Sequence, residues 1–147
     1  MKNIHLMPTD KPSKLHLWTD ENGTRLETCE LKYSNTRNTQ HIYITSDEQA
    51  KQGDWGYIPF QGGDVKLVGK YFADDWKKII LTTDQALIKD GVQDIDDEFL
   101  EWYVNNPSCE RVEVSEDYFK PGNMVYGIDM EPYKIIIPSI GINSLNK

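Results

Sequence analysis

The sequence predicts a mostly β, α+β domain: a small barrel or a strongly bent antiparallel sheet of about eight short strands, with one short helix at about residues 96–105. Three observations carry this. Short apolar runs with strand alternation recur along the chain and are separated by turn residues. One segment alone has both the start and the stop signals of a helix. The length of 147 residues, with 38% apolar residues including four Trp, eight Tyr and four Phe, suits a single domain over 1–147 with an aromatic core.

The elements follow in order. Residues 14–18 alternate Leu15 and Leu17 on one face, and 25–31 follow the turn DENG at 20–23 as a hairpin partner. The polar stretch 33–40 (YSNTRNTQ) is expected as a loop. Residues 41–45 form the third strand, with Ile42 and Ile44 on one side and Tyr43 on the other. Ser46 with Gln49 three residues on resembles a capping box, which predicts a single helical turn before Gly53. Residues 55–60 and 65–71 then flank the turn QGGD as a second hairpin. The continuous apolar run 78–82 suits a strand covered on both faces.

The loop 84–94 has room for a helical turn around 85–88, ended by Gly91. The helix that follows is well marked. Asp96 is its N-cap, Ile95 and Leu100 form a hydrophobic staple, and Asp97 and Glu98 sit where the helix dipole favours negative charge. Phe99, Leu100 and Tyr103 share one face, and Asn106 with Pro107 stops the helix. At about two and a half turns it needs tertiary packing to persist. Residues 111–115 and 133–138 are the last strands, separated by an irregular stretch at 116–132 and followed by a frayed tail, SIGINSLNK.

Charge and compartment narrow the partners. The net charge is -8, and most of it lies between Asp84 and Glu101, where Asp84, Asp90, Asp94, Asp96, Asp97, Glu98 and Glu101 face one base, Lys89. Such acidity repels phosphate backbones, so direct nucleic-acid binding is not expected. Lys66, Lys70, Lys77 and Lys78 come nearest to a basic patch and suit strand-edge positions. The start MKNIHLMPTDKP lacks the apolar core of a secretory leader, and no run reaches membrane-spanning length. The expectation is a cytoplasmic protein with no membrane contact, in which Cys29 and Cys109 stay reduced.

No chemical motif is complete. With Gly91 at the glycine position of a calcium loop, the acidic positions fall on Ala86, Ile88 and Asp90, so one of three fits. His5, His16 and His41 have no zinc spacing with either cysteine. His16 and His41 each lack a hydroxyl two residues on, and no nucleophile elbow, phosphate loop or dinucleotide fingerprint occurs. No metal, cofactor or catalytic residue is therefore expected, although paired carboxylates for acid–base work are not distinguished by sequence. The most pointed feature is Gly53-Asp54-Trp55. Gly permits a left-handed turn, Asp holds turn amides, and Trp opens a strand. A functional version adds Trp76, so that Asp54, Trp55 and Trp76 form an aromatic ligand-binding ledge, with the indoles stacking on bases.

The blocks IHLMPTDKPSKLHL, ITSDEQAKQGDW, KKIILTTDQALIKDGVQDIDDEFLEWYVNNPSCERVEV and YKIIIP span well over half of the chain. In these the chain resembles a family of small uncharacterised proteins from Bacteroidetes genomes and their phages and prophages. The resemblance implies a phage or mobile-element setting and brings no activity and no catalytic residues. The functional expectation is a non-enzymatic binding module acting on a host protein or a small molecule, nucleotides included. The alternatives are a nucleic-acid-binding small β-barrel and an enzyme of unrecognised type. Oligomeric state is left open.

Overall fold

The computed structural model describes residues 2–34, 37–59, 63–70, 76–115 and 133–138. In chain order the elements are β1 (Ile4–Thr9), β2 (Leu15–Asp20), β3 (Gly23–Thr28), a 3-10 turn (Leu31–Tyr33), β4 (Thr39–Gln49), β5 (Trp55–Ile58), β6 (Asp64–Leu67), β7 (Lys77–Thr82), α1 (Gln85–Lys89), β8 (Gln93–Asp94), α2 (Asp97–Val104), β9 (Glu113–Ser115) and β10 (Lys134–Ile136). Eight strands form one sheet along the path β3-β2-β4-β7-β5-β6, with β1 added on β4 and β8 on β7. All pairs are antiparallel except β7–β8. Strands β9 and β10 form a separate two-stranded ribbon.

The sheet is organised around β4. One edge of β4 takes β1 from Ile44 back to Thr39, while the other takes β2 at Thr39 and Gln40 and then β7 from Tyr43 to Gln49. The β4–β7 ladder is irregular in two places. Ile44 faces Leu81 and Thr45 faces Ile79, so Ile80 is an extra residue on β7. Such a bulge turns neighbouring side chains to one side and bends the strand. Accordingly Ile80 and Leu81 enter one core, and Ile79 enters another. The sheet bends enough that His5 of β1 stacks on Tyr57 of β5 at 3.7 Å between ring centroids, although β4 and β7 lie between them in the strand order. It stays open: β3 and β6 end the path and do not pair, so the bent sheet, and not the closed barrel, is the architecture.

Each face carries its own core. On one, Ile42 and Ile44 of β4 pack with Ile4, Leu15, Leu26, Ile80 and Leu81, and α2 covers them with Phe99, Leu100 and Tyr103. On the other, Tyr43 and Ile79 pack with Leu87 of α1 and with Trp55, Tyr57 and Val65 of the β5–β6 hairpin. Strand β7 is thus covered on both faces, as its unbroken apolar run requires. Helix α2 has its expected frame. Asp96 Oδ1 accepts from the Phe99 amide at 2.8 Å, and the side-chain amides of Asn105 and Asn106 donate to the carbonyls of Glu101 and Trp102 at the other end.

Two side-chain amides fasten the β9–β10 ribbon to the body. Asn3, buried just before β1, donates from Nδ2 to the Val112 carbonyl at 2.8 Å and accepts from the Val112 amide at 2.9 Å. Gln93 of β8 does the same with Tyr133, at 2.7 Å to its carbonyl and 3.0 Å from its amide. In each case a primary amide satisfies both polar groups of one backbone residue.

Four expectations are revised. Helix α1 is a true five-residue helix, which makes two helices. The residues around Ser46 do not form a helical turn; β4 continues through Gln49, because Gln49 pairs with Lys77 while Ser46 Oγ accepts the Glu48 amide. Strand β1 was not expected, since Pro8 interrupts it; it pairs on one side only, where an exposed proline is tolerated. Thr39 and Gln40 belong to β4 and not to the preceding loop. The stretch 116–132, the tail 139–147 and parts of the expected second hairpin (60–62 and Tyr71) lie outside the described residues. Among the described residues no helix is long and apolar enough to cross a membrane.

Phe99 has 0% exposure and stacks on Tyr103, so Phe99→Ala is expected to cost ~3–5 kcal/mol in chemical denaturation. A loss below ~1 kcal/mol contradicts its role as the keystone of α2. Asp96→Ala removes the cap and is expected to lower stability by about 1 kcal/mol, with an unchanged midpoint as the contrary result.

Candidate functional site

The sheet opens a cleft where the outer edge of β7 changes partners. Strand β5 pairs with Lys77 and Lys78, and β8 pairs with Leu81 and Thr82. Ile79 and Ile80 lie between, with neither strand beside them on that edge, and this stretch of β7 lines a cavity of about 620 Å³. One wall is the Gly53-Asp54-Trp55 turn, and the other is the end of α1 with β8, from Ile88 to Asp94. Lys78 and Tyr133 also line it. Divergence of neighbouring strands is a common origin of binding crevices.

The Trp55 wall is built locally. Gly53 adopts φ 94°, a left-handed conformation that a side chain disfavours, and its amide donates to the Val68 carbonyl. Asp54 Oδ2 accepts the Lys51 amide at 2.9 Å, which closes the turn, while the Asp54 backbone pairs with Val68. The opposite wall depends on Gly91, at φ 107°. It lets the Gly91 amide donate to Ile88 and the Val92 amide donate to Leu87, ending α1 and turning the chain back toward β7. Across the cleft the Trp55 indole Nε1–H donates to Asp90 Oδ2 at 3.1 Å. This hydrogen bond clasps the two walls together.

The structure brings Asp54 and Trp55 to the same cleft and places Trp76 elsewhere. Side chains alternate along β5, and Trp55 and Tyr57 share one face. Trp76 packs on the opposite face, over Gly56, where a Cβ would meet the indole at 3.4 Å and Ala50 at 3.1 Å. Asp90, Gln93 and Asp94 join the site instead. Their sequence signal is weak: an aspartate before a helix-ending glycine and two polar residues before a helix cap.

The lining of the cleft is acidic on balance. Asp54, Asp90 and Asp94 outnumber Lys78 on its lining. Burial pushes the Asp94 carboxyl above the usual carboxylate range, opposed by Lys14, whose Nζ lies 3.9 Å from Oδ2. Asp94 Oδ1 is shielded from solvent and has no hydrogen-bond partner among the described residues. Among those residues no group of three or more ligating side chains has a metal-binding arrangement.

A second polar cluster sits behind the cleft, at the β7–α1 corner. Asp84 caps α1 by accepting the Ala86 amide at 3.0 Å, and it accepts the Tyr43 hydroxyl at 2.6 Å. Thr83 Oγ1 accepts the Ile42 amide at 3.1 Å and shares a hydrogen bond with His41 Nδ1, also at 3.1 Å. His41 Nε2 lies 3.9 Å from Asp84 Oδ1. Hydroxyl, imidazole and carboxylate stand in the order of a nucleophilic triad. Thr83, however, is 1% exposed, and the cleft lining does not include it. The cluster satisfies the polar face of β4, with His41 and Thr83 buried and the Asp84 carboxylate partly exposed.

Comparison with protein-family models, with curated proteins and with solved structures finds no match to this chain.

His5 and His41 generate a pH dependence. Burial, helped by Lys2, lowers His5 from 6.5 to about 4. Burial also lowers His41, opposed by Asp84. Their folded values lie below the unfolded one, so the unfolded chain takes up protons first as pH falls. Stability is therefore full above pH 6.5 and declines from 6.5 toward 4. Urea midpoints at pH 7.5 and pH 5 are expected to show this fall, and His5→Phe, which keeps a ring on Tyr57, is expected to flatten it. Stability that rises on acidification contradicts buried neutral histidines.

Proposed function

We propose that this protein is a non-enzymatic, cytoplasmic binding module of phage or mobile-element type that takes a small-molecule ligand in the cleft between β5 and β8. The observation that carries this reading is the clasped cleft itself: it opens along the edge of β7 at Ile79 and Ile80, with an indole on one wall and carboxylates on the other. Its volume of about 620 Å³ lies within the range of small-molecule pockets. A few placed polar groups beside an indole suit recognition of one orientation. The non-catalytic reading is supported by the sealing of the hydroxyl–imidazole–carboxylate cluster away from the cleft. The phage or mobile-element setting rests on the family resemblance. Direct binding to nucleic acid is disfavoured by the net charge of -8, and Lys66 is drawn to Asp64 at 3.9 Å.

A host-protein partner is the second reading, and one surface favours it. Asp96, Asp97, Glu98 and Glu101 are all exposed at and along α2, which gives the domain an acidic edge that would steer a basic partner.

The small-molecule reading is tested by tryptophan emission. A small-molecule extract of bacterial cells is expected to shift the emission of the wild-type protein and of Trp76→Phe, and to leave Trp55→Phe unmoved. A shift that persists in Trp55→Phe, or no shift in any of the three, contradicts the cleft as the site.

A further inference from the structure

We infer that the β5–β6 hairpin is an acid-released flap, held closed by the stack of His5 on Tyr57 and opened when His5 takes up a proton. Such a device is independent of what the cleft binds, although Trp55, one wall of the cleft, travels with the flap. The hairpin is a separable piece of the sheet. Its own ladder runs from Trp55–Leu67 to Ile58–Asp64, and β6 ends the strand path. It pairs with β7 only at Gly56–Lys78 and Tyr57–Lys77. Its other fastenings include the Trp55–Asp90 hydrogen bond, the packing of Trp55, Tyr57 and Val65 on Tyr43, Ile79 and Leu87, and the stack on His5. Tyr57 ties that stack to the hairpin tip, because its hydroxyl fills the space that a Cβ on Gly63 would need. Segments with so few ladder bonds to the body open at lower cost than the core.

The stack has no place for a proton. The rings of His5 and Tyr57 lie 3.7 Å apart between centroids and within 16° of parallel. His5 Nε2 is bonded to Thr45 Oγ1 at 3.2 Å, while Nδ1 is shielded from solvent and has no partner among the described residues. An imidazolium donates from both nitrogens. In a parallel stack its N–H groups point outward in the plane of the ring, so the phenol face accepts neither. The surroundings offer no counter-charge. Lys2 acts on His5 from its own segment. Across β4 stand the Thr45 hydroxyl and Tyr43, whose own hydroxyl is given to Asp84. From β5 comes the Tyr57 phenol, kept protonated by burial, and from β7 Lys77, on the same face as its partner Tyr57. On β6, Lys66 and Asp64 are drawn to each other. Burial first, and then Lys2, lowers His5 from 6.5 to about 4 in the closed state. An opened hairpin exposes the ring and restores its ordinary value, so opening gains as pH falls from 6.5 toward 4.

The test is amide hydrogen exchange of the full chain at pH 7.5 and pH 5, each in a series of low urea concentrations and corrected for intrinsic exchange. Amides of β5 and β6 are expected to exchange through an opening that low urea barely changes, with an opening constant ~30-fold larger at pH 5, the ratio that 6.5 open and about 4 closed give. His5→Phe keeps a ring on Tyr57 and is expected to bring that ratio to about 1. A hairpin that exchanges only together with α2, with the urea dependence of α2 at both pH values, overturns the flap. So does a wild-type ratio near 1, or an unchanged ratio in His5→Phe. The His5 ring resonances of the wild-type protein, followed over the same pH range, give a check that needs no variant: protonation and hairpin opening are expected together, and a ring that becomes protonated while the hairpin stays closed overturns the flap.

Discussion

The bulge at Ile80 is the constraint on which the rest of the structure depends. Strand β7 has to fill two cores, and an even alternation would send Ile79 and Leu81 to the same side. The extra residue resolves this by sending Ile79 to the α1 face and both Ile80 and Leu81 to the α2 face. It also bends the strand, so a neighbour that follows β7 at Lys77 and Lys78 does not follow it further. Strand β5 leaves there, β8 arrives at Leu81, and the cleft is the space between them. Core packing and site geometry are therefore consequences of one backbone irregularity.

The polar face of β4 is the second link. Its odd-numbered residues from Thr39 to Thr45 are all buried, so each polar group needs a partner. Thr83 and Asp84 supply partners for His41 and Tyr43, and Asp84 at the same time caps α1. The helix that carries Asp90 to the cleft is thus anchored to the centre of the sheet by a hydrogen-bond network. Burial, and then the hydrogen bond to Asp84, keeps the Tyr43 phenol protonated far above its usual range, so the corner stays intact at alkaline pH.

What was legible in the sequence was local. The cap, staple and acidic first turn of α2 lie within a few residues of one another, and the helix has the expected frame. The double burial of β7 followed from its composition. The turn at Gly53 and Asp54 likewise depends only on neighbours. What was not legible depends on distant pairing. A local capping pattern at Ser46 lost to the ladder between Gln49 and Lys77, and Pro8 hid an edge strand whose partner is more than thirty residues away. Trp55 and Trp76 were expected as one ledge, but strand register decides which face each takes. Asp90, which meets Trp55 across 35 residues, has no sequence signal that ties it to that indole. The same holds for Asn3, whose backbone partner is 109 residues away.

The most direct test of this account is the indole N–H resonance of Trp55 in a ¹H–¹⁵N spectrum, assigned by its loss in Trp55→Phe. If Trp55 clasps Asp90 across the cleft, Asp90→Ala moves that resonance and speeds its exchange with solvent, while the indoles of Trp18, Trp76 and Trp102 keep their positions. A Trp55 resonance that stays in place in Asp90→Ala contradicts the clasp and, with it, the cleft as a preformed site.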